Sequence, residues 1–205
     1  AVWRVAWRLG HGYASDQMVR VTIPEGLSNQ ETVALFIKSL PNLKQTKLET
    51  SVAGLEGTLF PDTYFFPEQV RERDVVEMIT ANFGRNFAPQ VGELAASGHN
   101  LVEILTMASI LEKEASTMES RQMIAGILWK RLEAGQPLQV DAPFAYIESV
   151  GRSTFELTKK DLRIDSPYNT YKYKGLPPAP FVNPSLDSIL AALRPTESPY
   201  WFYLS

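Results

Sequence analysis

The chain has 205 residues, a formal net charge of −3, and 44% hydrophobic against 21% charged residues. A chain of this length takes roughly 70% of its unfolded surface out of water, and the composition is too apolar for a disordered protein. Cysteine is absent and the only histidines are His11 and His99, which excludes disulfide frameworks, thiol nucleophiles, iron–sulfur clusters and Cys- or His-rich metal centres. The near-neutral charge balance shows no basic stripe of the kind that nucleic acids select.

No apolar run reaches the length of a membrane helix. Residues 1–9 carry Arg4 and Arg8, unlike a signal peptide. With the apolar, strand-like residues 200–205 at the other end, the chain reads as a piece of a longer protein. Gly10-His11-Gly12 lacks the third glycine of a nucleotide-binding fingerprint. Residues 18–23 are rich in β-branched side chains and predict a strand. Ser28 and Glu31 form a capping box for a helix that carries Val33, Phe36, Ile37 and Leu40 and stops at Pro41. Residues 51–70 read as a loop in which aromatics alternate with turn formers. Further helices open at Asp74, at Asn100-Leu101-Val102-Glu103, and between Ser116 and Glu119, the last running to Leu132 and Gly135. Loops and short strands follow, then a helix from Asn183-Pro184 carrying Ile189, Leu190 and Leu193. Tyr168 to Tyr171 alternate as a strand would, with Tyr168 and Thr170 on one face and Asn169 and Tyr171 on the other. The pattern is α+β: a small α/β subdomain, then a mixed helical and β-strand domain.

One charge is out of place. At 100° per residue from Leu101, Glu112 falls at about 20°, inside the stripe formed by Leu105, Ala108 and Leu111, whereas Glu114 falls near 220°, beside Glu103. A carboxylate on a covered stripe is costly unless paired, bonded or protonated. Two explanations stand open. Glu112 meets an arginine such as Arg121, or it is a proton donor in a cleft, its pKa raised by desolvation. Protonating a leaving glycosidic oxygen is one reaction that uses such a group.

The stretch Leu105-Thr106-Met107-Ala108-Ser109-Ile110-Leu111-Glu112-Lys113-Glu114 resembles the signature helix of the YceG-like family, the endolytic murein transglycosylases. Four other stretches agree in order: residues 21–27, residues 55–64, Leu138-Gln139-Val140-Asp141, and Tyr168-Asn169-Thr170-Tyr171 with Gly175-Leu176-Pro177-Pro178. One departure is Asp141-Ala142-Pro143-Phe144, where the family has Asp-Pro-Thr.

The resemblance implies a partial lysin-motif-like (LysM-like) subdomain in residues 1–50 and the catalytic domain in 51–205. It implies a bacterial protein, anchored in the cytoplasmic membrane by an N-terminal helix, acting on the extracytoplasmic side. Peptidoglycan glycan strands would be its substrate, peptidoglycan synthases its companions, and no cofactor or metal is implied. The MurNAc-β-1,4-GlcNAc bond would be cleaved without water, leaving 1,6-anhydro-MurNAc ends. Glu112 maps onto the catalytic acid, with Glu114 as the fallback acid or a substrate contact. Gln139 and Asp141 would bond sugar hydroxyls or N-acetyl groups. Asn169 would orient Glu112 or bind an acetamide, and Tyr168, Thr170 and Tyr171 would line the groove. Two other readings are a non-catalytic peptidoglycan-binding module and a muramidase with Asp141 as second carboxylate. Glu56 and Asp62 read as structural, and His99 as a solvated loop residue.

Overall fold

A computed structural model describes residues 17–147 and 157–204. The opening segment with Gly10-His11-Gly12 lies outside them. The predicted first strand is β1 (Met18–Ile23). Its partner, β2 (Asp62–Pro67), falls in the stretch expected to be loop. The two pair antiparallel, Met18 opposite Pro67 and Ile23 opposite Asp62, and form a two-stranded sheet. The Thr22 and Thr63 hydroxyls bond across the pair at 2.9 Å.

Helix α1 (Asn29–Ser39) carries the Ser28–Glu31 capping box and ends at Leu40. A second helix, α2 (Gln45–Val52), has no side-chain cap and no acidic first turn, so the usual start signals were missing from the sequence. Helix α3 (Glu72–Phe87) follows β2. Val21, Ile23, Val33, Phe36, Leu48, Phe66, Val75 and Ile79 share one apolar core. That core draws on chain well past residue 50, so the boundary expected there does not coincide with a break in packing.

Helix α3 serves two cores. Its Val75, Met78 and Ile79 belong to the first, and its Phe83 and Phe87 to the second. After a short α4 (Val91–Ser97), Asn100 and Glu103 form the capping box of α5 (Leu101–Glu114). Every residue from Ile104 to Leu111 is buried, as expected for the central element of an all-round packing. Helices α6 (Met118–Glu133) and α7 (Leu186–Leu193) pack on it through Ile124, Leu128, Ile189 and Ala192. His99 is not simply solvated: its ring stacks on Trp129 with centroids 3.8 Å apart.

Two predicted strands are absent among the described residues. Residues 168–171 form turns because Asn169 commits its side chain to the backbone. Its Nδ2 donates to Leu162 O and Ile164 O at 3.1 and 2.9 Å, and its Oδ1 accepts from the amides of Tyr171 and Lys172 at 3.0 and 3.1 Å. Such side-chain bonds compete with a sheet ladder. Residues 200–204 run as a strap with no strand partner, held by Lys130 Nζ on the carbonyls of Ser198 and Tyr200. The strap's approach to α6 requires Gly126, where a Cβ would meet Thr196 O at 1.9 Å.

Asn183 joins the two cores. It is wholly buried and accepts from Leu59 N at 2.9 Å. It donates to Leu27 O at 3.0 Å and Asn29 Oδ1 at 3.1 Å. Its own backbone exchanges bonds with Gly26 and Leu27. Among the described residues no single helix is long and apolar enough to cross a membrane.

Candidate active site

The last turn of α5 sends its two carboxylates to different places. Glu112 goes inward, where its side chain is 6% exposed. Oε1 accepts from Arg121 Nη2 at 3.2 Å. Oε2 accepts from Ser185 N at 2.8 Å, Ser185 Oγ at 2.6 Å and Ser188 Oγ at 2.7 Å. Ser185 is the N-cap of α7, so the carboxylate sits at the positive end of that helix. Arg121 also donates through Nε to Ala115 O at 3.0 Å, closing the C-terminus of α5. Of the two explanations for a buried carboxylate, the arginine pair is the one present in the geometry. Glu112 ties α5, α6 and α7 together, and the large cavity is walled by other residues.

Glu25, in the turn after β1, approaches this node. Burial raises its pKa, and the Glu112 charge adds to that rise while Arg121 opposes it. Gly26 beside it has φ 73°, and a Cβ there would lie 3.1 Å from Lys113 Nζ and 3.5 Å from Glu112 Cγ. The left-handed backbone of this turn over the end of α5 favours glycine.

Glu114, two residues on, lines a cavity of about 750 Å³ together with Lys113, Arg131, Gln139, Asp141, Tyr171 and Tyr203. Its volume is within the range of small-molecule sites, roughly 300–1,000 Å³. Tyr203 hydrogen-bonds to Glu114, and burial first, then the Glu114 charge, raises the phenol's pKa. Tyr171 donates to Asp141 Oδ1 at 2.5 Å, and burial followed by Asp141 raises its pKa as well. Both phenols therefore keep their protons at neutral pH, each beside a carboxylate.

The predicted site residues divide. Glu114, Gln139, Asp141 and Tyr171 meet in the cavity. Asn169 and Thr170 do not reach it, being 0% and 2% exposed. The Asn169 amide is spent on the loop, which leaves nothing for an acetamide or for Glu112. Thr170 braces Val140 from both sides, accepting its amide at 3.0 Å and donating to its carbonyl at 2.7 Å. Tyr168 packs against Tyr146 with centroids 4.9 Å apart, and burial pushes its phenol up to about 12. Sequence reasoning missed Arg131 and Tyr203. Arg131 is a basic residue in the last turn of its helix, a position that favourable interaction with the helix dipole explains without any cavity. Tyr203 lay in a run read as a strand. Among the described residues no group of three acidic or histidine side chains is placed to hold a metal ion.

Comparison with known proteins agrees with this architecture. The YceG-like family model matches residues 2–205. The chain belongs to the YceG-like family. The endolytic murein transglycosylase of Bacillus subtilis strain 168 is 39% identical over 155 residues, 74% of this chain and 42% of that protein. The protein of the same name from Streptococcus pneumoniae strain D39 is 34% identical over 154 residues, 74% of this chain and 28% of that one. The chain thus spans less than half the length of either relative. The crystal structure of a YceG-like protein from Listeria monocytogenes is 29% identical with a TM-score of 0.82, covering 100% of this chain and 76% of that chain. In this YceG-like domain the α+β arrangement is therefore a known one.

Proposed function

We propose that the domain is an endolytic peptidoglycan lytic transglycosylase that cleaves the MurNAc-β-1,4-GlcNAc bond within glycan strands. The observation that carries the reading is Glu114 at the end of a helix buried from Ile104 to Leu111, on the wall of a sugar-sized cavity. The family relationship points the same way, since the relatives are named endolytic murein transglycosylases.

The chemistry needs one carboxyl group with two duties. Glu114 gives its proton to the glycosidic oxygen as the C1–O4 bond breaks. The muramoyl C6 hydroxyl then forms the O6–C1 bond, and its proton passes to Glu114. The carboxyl is restored, no water is consumed, and the product ends in 1,6-anhydro-MurNAc. An intramolecular hydroxyl gains its advantage from proximity, so no second carboxylate is needed as nucleophile. The acid expected from the family resemblance, Glu112, is replaced here by the fallback, Glu114. Glu112 has its acceptor capacity filled by Arg121, Ser185 and Ser188 and is read as holding the end of α5 in place.

A two-carboxylate muramidase is favoured by one observation, that Asp141 lines the same cavity. Against it, a muramoyl C6 hydroxyl that attacks its own anomeric carbon leaves no task for a second carboxylate. By the same family reading the domain works outside the cytoplasmic membrane, on strands made by peptidoglycan synthases, behind a membrane-anchoring segment.

Mass spectrometry of digested glycan separates the readings. A transglycosylase releases anhydro-ended fragments, whereas a muramidase releases reducing ends heavier by one water. A binding module releases neither. Glu114→Gln is expected to abolish release while the domain stays folded. Undiminished anhydro-end formation by Glu114→Gln would end the assignment.

A further inference from the structure

We infer that Gln139, fixed by Arg131, makes the cavity selective for N-acetylated sugars. Its carboxamide NH2 donates to an acetamido carbonyl. The inference rests on the proposed action on glycan and goes further, to the substituent that is read.

Gln139 is exposed in the cavity, yet its side-chain oxygen is taken. Arg131 Nη2 donates to Gln139 Oε1 at 2.6 Å and to Pro137 O at 2.7 Å. Arg131 itself is 4% exposed. A guanidinium has only donors, so the atom facing it must be the amide oxygen. The Nε2 group is thereby turned the other way, and among the described residues it has no hydrogen-bond partner. The backbone enforces this aim. Gln139 is the one non-glycine residue with positive φ among those described, at 53°. That conformation is uncommon for a long side chain and persists where surroundings hold it. Here Gln139 N donates to Thr170 O at 3.0 Å, and Val140 N to Thr170 Oγ1 at 3.0 Å.

The result is an NH2 donor backed by a buried cation, with the Lys113 ammonium on the same lining. The carboxylates of Asp141 and Glu114 on the same lining each accept from a phenol, Tyr171 and Tyr203. A carbonyl oxygen suits such a wall. At Gln139 the ammonium of a de-N-acetylated hexosamine offers only donors to a donor.

The test compares glycan strands of one length, N-acetylated and enzymatically de-N-acetylated, with anhydro ends counted by mass spectrometry. Wild type is expected to cleave the N-acetylated strands at least about tenfold better in kcat/KM, the scale of one directed hydrogen bond lost and a donor left facing a donor. Gln139→Leu should lower cleavage of N-acetylated strands to near the de-N-acetylated level. Gln139→Glu should narrow or invert the preference. Arg131→Lys, which keeps charge but loses the fork, should weaken the preference while the domain folds. Equal cleavage of both strands by wild type, or an unchanged preference in both Gln139 variants, overturns the inference. Binding of the two strands to Glu114→Gln, with and without Gln139→Leu, reads the selectivity without turnover. A preference that depends on residue 139, with no anhydro ends from wild type, would uphold the selectivity and refute the activity.

Discussion

Replacing Glu112 separates a structural carboxylate from a catalytic one. Glu112→Ala leaves the Arg121 guanidinium buried without its charge partner, its side chain being 9% exposed. It also strips the acceptor from Ser185 N, Ser185 Oγ and Ser188 Oγ. Removing one partner of a buried pair costs about 3–5 kcal/mol. For a chain of this size each kcal/mol moves Tm by about 2–4 °C, so the expected fall is about 6–20 °C. Glu112→Gln keeps the shape and one acceptor oxygen but sets an NH2 against donors. A charged hydrogen bond is worth about 1.5–3 kcal/mol, which gives a fall of about 3–12 °C. Thermal unfolding followed by tryptophan fluorescence measures both, and release of anhydro ends is assayed well below each transition. Glu112→Gln should be less stable yet active, and Glu114→Gln stable yet inactive. Wild-type stability with no activity in Glu112→Gln would refute the reasoning and return the acid to position 112.

Three further outcomes follow from the packing. Gly126→Ala places a methyl 1.9 Å from Thr196 O. It should destabilise by about 1–3 kcal/mol and speed exchange of the Thr196 amide, which is bonded to Gln122 O; unchanged exchange would show that the strap does not lie there. Asn183→Ala removes the acceptor of Leu59 N and the donor to Leu27 O. Its expected cost is about 2–4 kcal/mol, with faster proteolysis between the cores, and a variant as protease-resistant as wild type would contradict the joining role. Glu25 has a raised folded-state pKa, so its ionisation opposes folding: the cost is present at neutral pH and is relieved as pH falls through the folded value. Glu25→Gln should therefore be the more stable protein at pH 7, the difference vanishing below the ordinary carboxylate value of 4.5. Equal midpoints at pH 7 would refute it.

The local signals that sequence carries were those that local chemistry settles. Ser28 with Glu31 and Asn100 with Glu103 are capping boxes in the sequence and in the structure. The angular position of Glu112 correctly placed a carboxylate under cover, with Arg121 as one candidate partner. The wheel could not say which carboxylate faces a cavity, because Glu114 is the last helical residue and its surroundings are set by residues 139, 141, 171 and 203. Strand β2 was invisible for a similar reason: its partner is distant in sequence, Ile23 opposite Asp62 and Met18 opposite Pro67, and a sheet edge is defined by what pairs with it. The Tyr168–Tyr171 alternation misled because periodicity ignores what an Asn side chain does to nearby amides. Arg131 and Gln139 are eight residues apart, and only the left-handed turn at 139 brings them together.

The Asn183 junction has a bearing on how such a chain is made. Synthesis delivers residues in order, and the first core has all its members once Ile79 has emerged. Glu114 follows soon after, but Asn183 lies 124 residues beyond Leu59, and the outer wall with Tyr203 comes later still. Closing so wide a span is slow compared with forming a helix or hairpin. A nascent chain therefore completes α5 long before the cavity at its end can close.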